Sequence, residues 1–117
     1  MSRRLVLIVC LGLLGCALMG SGSPTVTGAQ AQELVQKQQA LLLDVRSPEE
    51  FAEGHLEKAV NIPVQQLESK LSTLADKKDQ PIVVYCRSGR RSANAKTMLE
   101  KAGFTKVADL GAMSNWK

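Results

Sequence analysis

The 117 residues suffice for one domain with a real core, and 44% hydrophobic against 22% charged residues is ordinary globular composition. The net charge of +4 falls to +2 when residues 1–15 are set apart, since they hold Arg3 and Arg4 and no acid and leave 13 basic against 11 acidic side chains. With only four aromatic residues to stack on bases, that balance excludes a nucleic-acid-binding surface.

The chain opens "MSRRLVLIVCLGLLGCALMGSGS". Two arginines precede the ten-residue apolar run Leu5–Leu14, too short to span a bilayer as a mature helix. A positive start, a short apolar centre and small residues afterwards describe an export signal. Leu13-Leu14-Gly15-Cys16 resembles a lipobox, with Leu14 where a smaller residue is commoner. The expected organisation is a lipoprotein-type signal over 1–15, lipid on Cys16, a tether over 16–26 and one domain over 27–117. Cleavage after "AQA" (residues 29–31) is the ordinary-signal alternative, but it would remove the start of the first helix. A retained anchor is a third option.

"SGSPTVTG" (residues 21–28) is small and polar, as a flexible tether is. Thr27 can cap a helix carrying Leu34 and Val35. "ALLLDV" is an apolar run suited to a strand buried on both faces. Ser47-Pro48-Glu49-Glu50 is a capping box with proline at the first helical position. "AVNIP" predicts a brief strand closed by Pro63. Leu67, Leu71 and Leu74 lie at helical spacing before "DKKDQP" breaks the pattern. "IVVY" is a second buried strand. Ala95, Met98, Leu99 and Ala102 form a helical stripe ended by Gly103, a left-handed cap with Phe104 following. "KVADL" gives a last strand. Strands alternating with helices predict an α/β fold with a largely parallel sheet.

In such a sheet, ligands bind at the carboxyl ends of the strands. Cys86 follows "IVVY" directly, and Ser92 is expected to begin the next helix. Cys10 and Cys16 fall in or beside the export signal, so Cys86 is the only free thiol of the mature domain. A lone thiol in an oxidising compartment is exposed to unwanted pairing. Its surroundings also argue against a merely structural cysteine. Arg87, Ser88, Gly89, Arg90 and Arg91 would turn their backbone N–H groups into a small anion-binding bowl at a helix N-terminus. Gly89 allows the tight turn. The helix dipole and the arginines favour a thiolate, which gives a cradle for a nucleophilic sulfur and an anionic substrate. Cysteine-type phosphatases need Cys-x5-Arg to encircle a phosphoryl group. Here Ser92 takes the sixth position after Cys86 and Arg91 the fifth, so the loop suits a smaller target, one transferable sulfur atom.

At this point the sequence resembles the rhodanese family, the thiosulfate sulfurtransferases, over nearly all of residues 27–117. "LLLDVRSPEEFAEGHLEKAVNIP" is similar to the family's first signature, and "VVYCRSGRRS" to its active-site loop. The signal and the Cys-x-x-Gly-Arg-x-Ser loop are closest to the periplasmic phage-shock single-domain rhodaneses. Glu57-Lys58 replaces the usual Pro-Gly, an exposed turn. The terminal "LGAMSNWK" keeps Gly111 and Trp116 but has alanine for a second glycine, which predicts a loose domain edge.

The resemblance implies a rhodanese-like α/β fold, a small, mostly parallel central sheet flanked by helices on both faces. It implies that the Cys86 thiolate takes the sulfane sulfur of thiosulfate or another donor and passes it to cyanide or a thiol acceptor, without metal or organic cofactor. Arg87, Ser88, Gly89, Arg90 and Arg91 are the expected substrate-binding residues. Asp44, Arg46 and Ser92 are expected to support the loop, and His55 to cap or bridge loops. Lys77, Lys78 and Lys101 read as solvated charges. The expected location is the periplasm, with membrane contact only through a lipid on Cys16. Two alternatives stay open: a non-catalytic persulfide carrier serving a partner protein, and, with less support from the loop length, arsenate reduction.

Overall fold

The computed structural model describes residues 24–117. The expected export signal, Cys16 and most of the expected tether lie outside the described residues. Thr27 accepts the Gln30 N–H at 3.1 Å while Gln30 returns a bond to the Thr27 backbone, a reciprocal cap that starts α1 (Gly28–Lys37). The same device at Ser47 and Glu50, with proline next, starts α2 (Pro48–Glu53). Between them runs β1 (Leu41–Asp44), and after them come β2 (Val60–Asn61) and α3 (Val64–Lys70). The leucine pattern then departs from expectation: Leu71–Lys77 is a 3-10 helix. Side chains three apart eclipse in that tighter winding, so Leu71 and Leu74 still face the core together. β3 (Ile82–Cys86), α4 (Arg90–Lys101), β4 (Val107–Ala112) and a 3-10 turn (Met113–Trp116) complete the chain. α4 starts at Arg90, two residues before Ser92, and ends at Gly103, whose φ of 101° lets Phe104 N–H return to the Leu99 carbonyl at 3.0 Å.

The strands form one all-parallel sheet in the order β2-β1-β3-β4. Leu41 pairs with Ile82 and Asp44 with Tyr85. Alternation divides the core. Leu43, Val45, Val84 and Cys86 face one side, packing with Leu67 of α3 and Ala95 and Leu99 of α4. Leu42, Val83 and Tyr85 face the other, packing with Ala31 of α1 and with Trp116. Helices therefore cover both faces, as expected of a parallel sheet.

The order reverses between β1 and β3, because the chain runs outward from β1 to β2 and then crosses back to β3. That reversal leaves a crevice at the carboxyl ends of β1 and β3. Beside it, β4 carries a bulge: Val84 pairs with Asp109 but Tyr85 with Gly111, leaving Leu110 extra. Gly111 has φ of 83°, a conformation side chains resist.

Two expectations about the domain's edges change. Thr25 and Val26, read as tether, donate their N–H groups to the Asp109 carbonyl at 2.8 and 3.3 Å and so are tied to β4. The C-terminal turn is held rather than loose. Asn115 donates to the Leu110 carbonyl at 2.9 Å, Gln32 bonds the Trp116 carbonyl, and Gly28 packs directly on the backbone of Asn115 and Trp116.

Candidate active site

Cys86 is the last residue of β3 and is fully buried. Its Sγ accepts the Gly89 N–H at 3.0 Å and the Ser92 N–H at 3.4 Å, with Ser92 Oγ at 3.6 Å. Gly89 makes this possible. Its φ of 103° turns the chain sharply into α4 and aims its N–H back at the sulfur. Ser92 Oγ donates to the Gly89 carbonyl at 3.1 Å and closes the loop from behind. N–H groups of a helix's first turn have no intrahelical acceptor, so those of Arg90 and Arg91 join the positive end of the α4 dipole here. The loop is a bowl of backbone donors around one sulfur. Arg87, Ser88 and Arg90 are exposed at its rim.

Asp44 and Arg46 sit at the carboxyl end of β1, as expected, but they are committed to each other. Both are buried, and Arg46 donates to both Asp44 oxygens at 2.7–3.1 Å. The guanidinium also reaches the Gly54 carbonyl at 2.6 Å. Tyr85 completes the group by donating its hydroxyl to Asp44 Oδ2 at 2.7 Å and accepting the Leu56 N–H at 3.1 Å. Burial first, then the bond to Asp44, pushes the Tyr85 hydroxyl far above its ordinary range, so it stays a donor. Asn61 ties the same corner by donating to the carbonyls of Asp44 and Arg46, each at 2.9 Å. This cluster pins residues 54–61, one wall of the crevice. It supports the site and leaves no guanidinium free for substrate.

Glu50, read from the sequence only as a capping residue, enters the site. Arg91 donates to both its oxygens, Nη1 at 2.7 Å and Nη2 at 3.1 Å, and Arg87 Nε lies 3.5 Å away. The Arg91 bond, then the Ser47 backbone, hold the Glu50 carboxyl down at about 2. Arg91 is pushed further up, mainly by its bond to Glu50. Arg91 is thus half-spent on Glu50, whereas Arg87, with 70% of its side chain exposed, is held loosely.

Asp109 was also missed. It is buried, and desolvation pushes its carboxyl up against the opposing bond from the Gly111 N–H at 2.8 Å. An acid inside the apolar strand "KVADL" was the available signal. His55 does what was expected, bonding the Phe51 carbonyl at 2.9 Å and stacking on the Phe51 ring at 3.7 Å. Among the described residues, no group of three or more His, Cys, Asp or Glu side chains could hold a metal ion.

Residues 27–117 match the rhodanese-like domain family. The chain belongs to the rhodanese family. Rhodaneses are sulfurtransferases, and several relatives carry that name. Thiosulfate sulfurtransferase PspE of Escherichia coli is 34% identical over 73 residues, 62% of this chain and 70% of that protein. The human thiosulfate:glutathione sulfurtransferase is 34% identical over 109 residues, 82% of this chain and 95% of its own length. Among solved structures, a human single-domain sulfurtransferase superposes with a TM-score of 0.69 at 32% identity, covering 81% of this chain and 96% of that one. An E. coli rhodanese with bound anions gives 0.61 at 33% identity, covering 65% and 89%. The rhodanese-like α/β fold expected from the sequence is therefore the fold observed.

Proposed function

We propose that this rhodanese transfers the sulfane sulfur of thiosulfate through a persulfide on Cys86. The observation that carries the reading is the pair of N–H groups, from Gly89 and Ser92, directed at Cys86 Sγ inside a six-residue loop. Donors so placed favour negative charge on sulfur and hold it where a donor arrives. The thiolate attacks the outer sulfur of thiosulfate, the S–S bond to the sulfonate breaks, and sulfite leaves with the electron pair. The Cys86 persulfide anion then gives its terminal sulfur to cyanide, forming thiocyanate, or to a thiolate acceptor, forming a new persulfide. Either acceptor regenerates the Cys86 thiolate, and the two displacements give ping-pong kinetics. Two relatives are named for thiosulfate, which supports that donor. Gly89, Ser88, Arg87, Arg90 and Arg91 are the proposed donor-binding residues, while Ser92 closes the loop and Asp44 and Arg46 hold the facing wall of the crevice. The Arg3-Arg4 start and the Leu5–Leu14 run before Gly15-Cys16 support a reaction in the periplasm, with lipid on Cys16 as the anchor.

Mass spectrometry of the purified domain after thiosulfate treatment tests the intermediate. The wild type is expected to gain one sulfur atom, lost again on adding cyanide, and Cys86→Ser to gain none. A serine hydroxyl cannot carry a persulfide. Sulfur transfer at wild-type rate by Cys86→Ser refutes the mechanism. A persulfide that no small acceptor discharges favours the carrier role.

A further inference from the structure

Glu50 is placed oddly for a site that must attract anions. It lies on α2, across the crevice from the loop, and its carboxylate meets two of the three loop arginines, Arg91 at 2.7 Å and Arg87 at 3.5 Å. The capping role does not require this. Ser47 and Glu50 satisfy each other's backbone N–H groups without any arginine. Only 20% of the Glu50 side chain is exposed, so solvent screens its charge less than that of a surface carboxylate. Its value near 2 keeps it charged at every working pH. Arg46, the remaining nearby guanidinium, is already neutralised by Asp44. The bowl therefore presents less positive charge to a donor than three arginines suggest, and among the described residues Arg90 alone of the three has no carboxylate within ion-pair distance.

We infer that Glu50 is a specificity-determining residue that sets the charge of the preferred sulfur donor, lowering the site's advantage for doubly charged donors over singly charged ones. The inference rests on the sulfur-transfer reading above. Glu50 acts through the arginines: it holds Arg91 rigidly and Arg87 loosely, so a dianion must compete with a carboxylate for the arginine best able to move. A singly charged donor loses less by that competition and relies more on the backbone N–H groups.

A pair of isosteric donors isolates charge from shape. Methanethiosulfonate replaces one thiosulfate oxygen with methyl, carries one negative charge instead of two, and transfers the same sulfane sulfur with methanesulfinate leaving. The measured quantity is the ratio of kcat/KM for thiosulfate to that for methanethiosulfonate, with cyanide as common acceptor. For Glu50→Gln the ratio should rise roughly fivefold, as expected for one extra unit of charge felt across some 8 Å at an effective dielectric between protein and water. The rise should shrink in 1 M salt, where the screening length drops to about 3 Å. Glu68→Gln makes the same change of charge on the exposed face of α3 and should leave the ratio unmoved. Arg87→Gln should lower the ratio, which provides an independent reading if Glu50→Gln folds poorly. An unchanged or lowered ratio in Glu50→Gln overturns the inference. Failure of wild-type Cys86 to gain sulfur from either donor would instead overturn the sulfur-transfer reading, a separate result seen by mass.

Discussion

Tyr85→Phe tests the wall of the crevice. Phenylalanine keeps the ring packed between α1 and the sheet and keeps the Arg46 guanidinium 5.7 Å from the ring centroid, so only the hydroxyl is removed. Two bonds go with it. The buried Asp44 carboxylate loses a donor at 2.7 Å, and the partly buried Leu56 N–H loses its acceptor at 3.1 Å. A hydrogen bond to a charged group contributes about 1.5–3 kcal/mol, and an orphaned N–H costs about 1 kcal/mol or more, less where water can reach it. The expected loss is about 2–4 kcal/mol, a large share of the roughly 5–15 kcal/mol that stabilises a typical domain. Urea unfolding should show a lower midpoint with an unchanged slope, and the melting point should fall by roughly 10–25 °C. Persulfide formation by the variant that remains folded should stay within a few-fold of wild type, because the hydroxyl touches the wall and not the sulfur. A loss below about 0.5 kcal/mol, the range of an ordinary surface substitution, would show that the Tyr85–Asp44–Arg46 cluster does not hold the wall.

Glu50 predicts a definite acid response. Its folded value, about 2, lies below the ordinary 4.5, so its contribution is fully present above pH 4.5 and is lost as pH falls toward 2. That loss is about 2 kcal/mol once solvent screening is allowed for, and Glu50→Gln should flatten this part of the stability–pH curve. If the two curves run parallel, the Arg91–Glu50 pair contributes nothing to folding. On substrate choice, the loop should release sulfite from thiosulfate and leave a small aryl phosphate intact; the reverse pattern would return the loop to phosphatase chemistry. For location, fractionation of cells expressing wild type and Cys16→Ala should place wild type in the membrane fraction and the variant in the soluble periplasm. Both proteins in the cytosol would end the export reading, and both soluble in the periplasm the lipid one.

What the sequence made legible was local. Thr27–Gln30 and Ser47–Glu50 satisfy each other three residues apart, so the starts of α1 and α2 could be read directly. The strands announced themselves by continuous apolar runs, and the turn at Gly89 by glycine before a helix. The missing parts share a different property. Tyr85 and Asp44 are 41 positions apart, as are Arg91 and Glu50. Neither contact has a periodicity or spacing to find. The sheet brings them together only because β1 and β3 are neighbours although β2 lies between them in sequence. Glu50 was hidden further by having a sufficient local role, and Asp109 by sitting in a strand otherwise read for its apolar residues.

The thiol's electrostatics follow from the same geometry, and they shift weight from side chains to backbone. The sequence places three arginines after Cys86, which suggests a sulfur held by cations. In the folded site one of them is bound to Glu50 through both nitrogens and a second lies beside the same carboxylate. The donors directed at Sγ are two N–H groups, placed by a glycine in a conformation side chains resist and by the first turn of α4. Backbone donors cannot swing away, carry no counter-charge to be neutralised, and need no reorganisation when sulfur gains or loses a partner. A flexible guanidinium offers none of this. Its use lies further out, at the rim, where the exposed Arg87 and Arg90 can meet donors of differing charge while the bowl beneath stays fixed. Fixed donors at the sulfur and adjustable charge at the mouth separate the chemistry of transfer from the choice of donor.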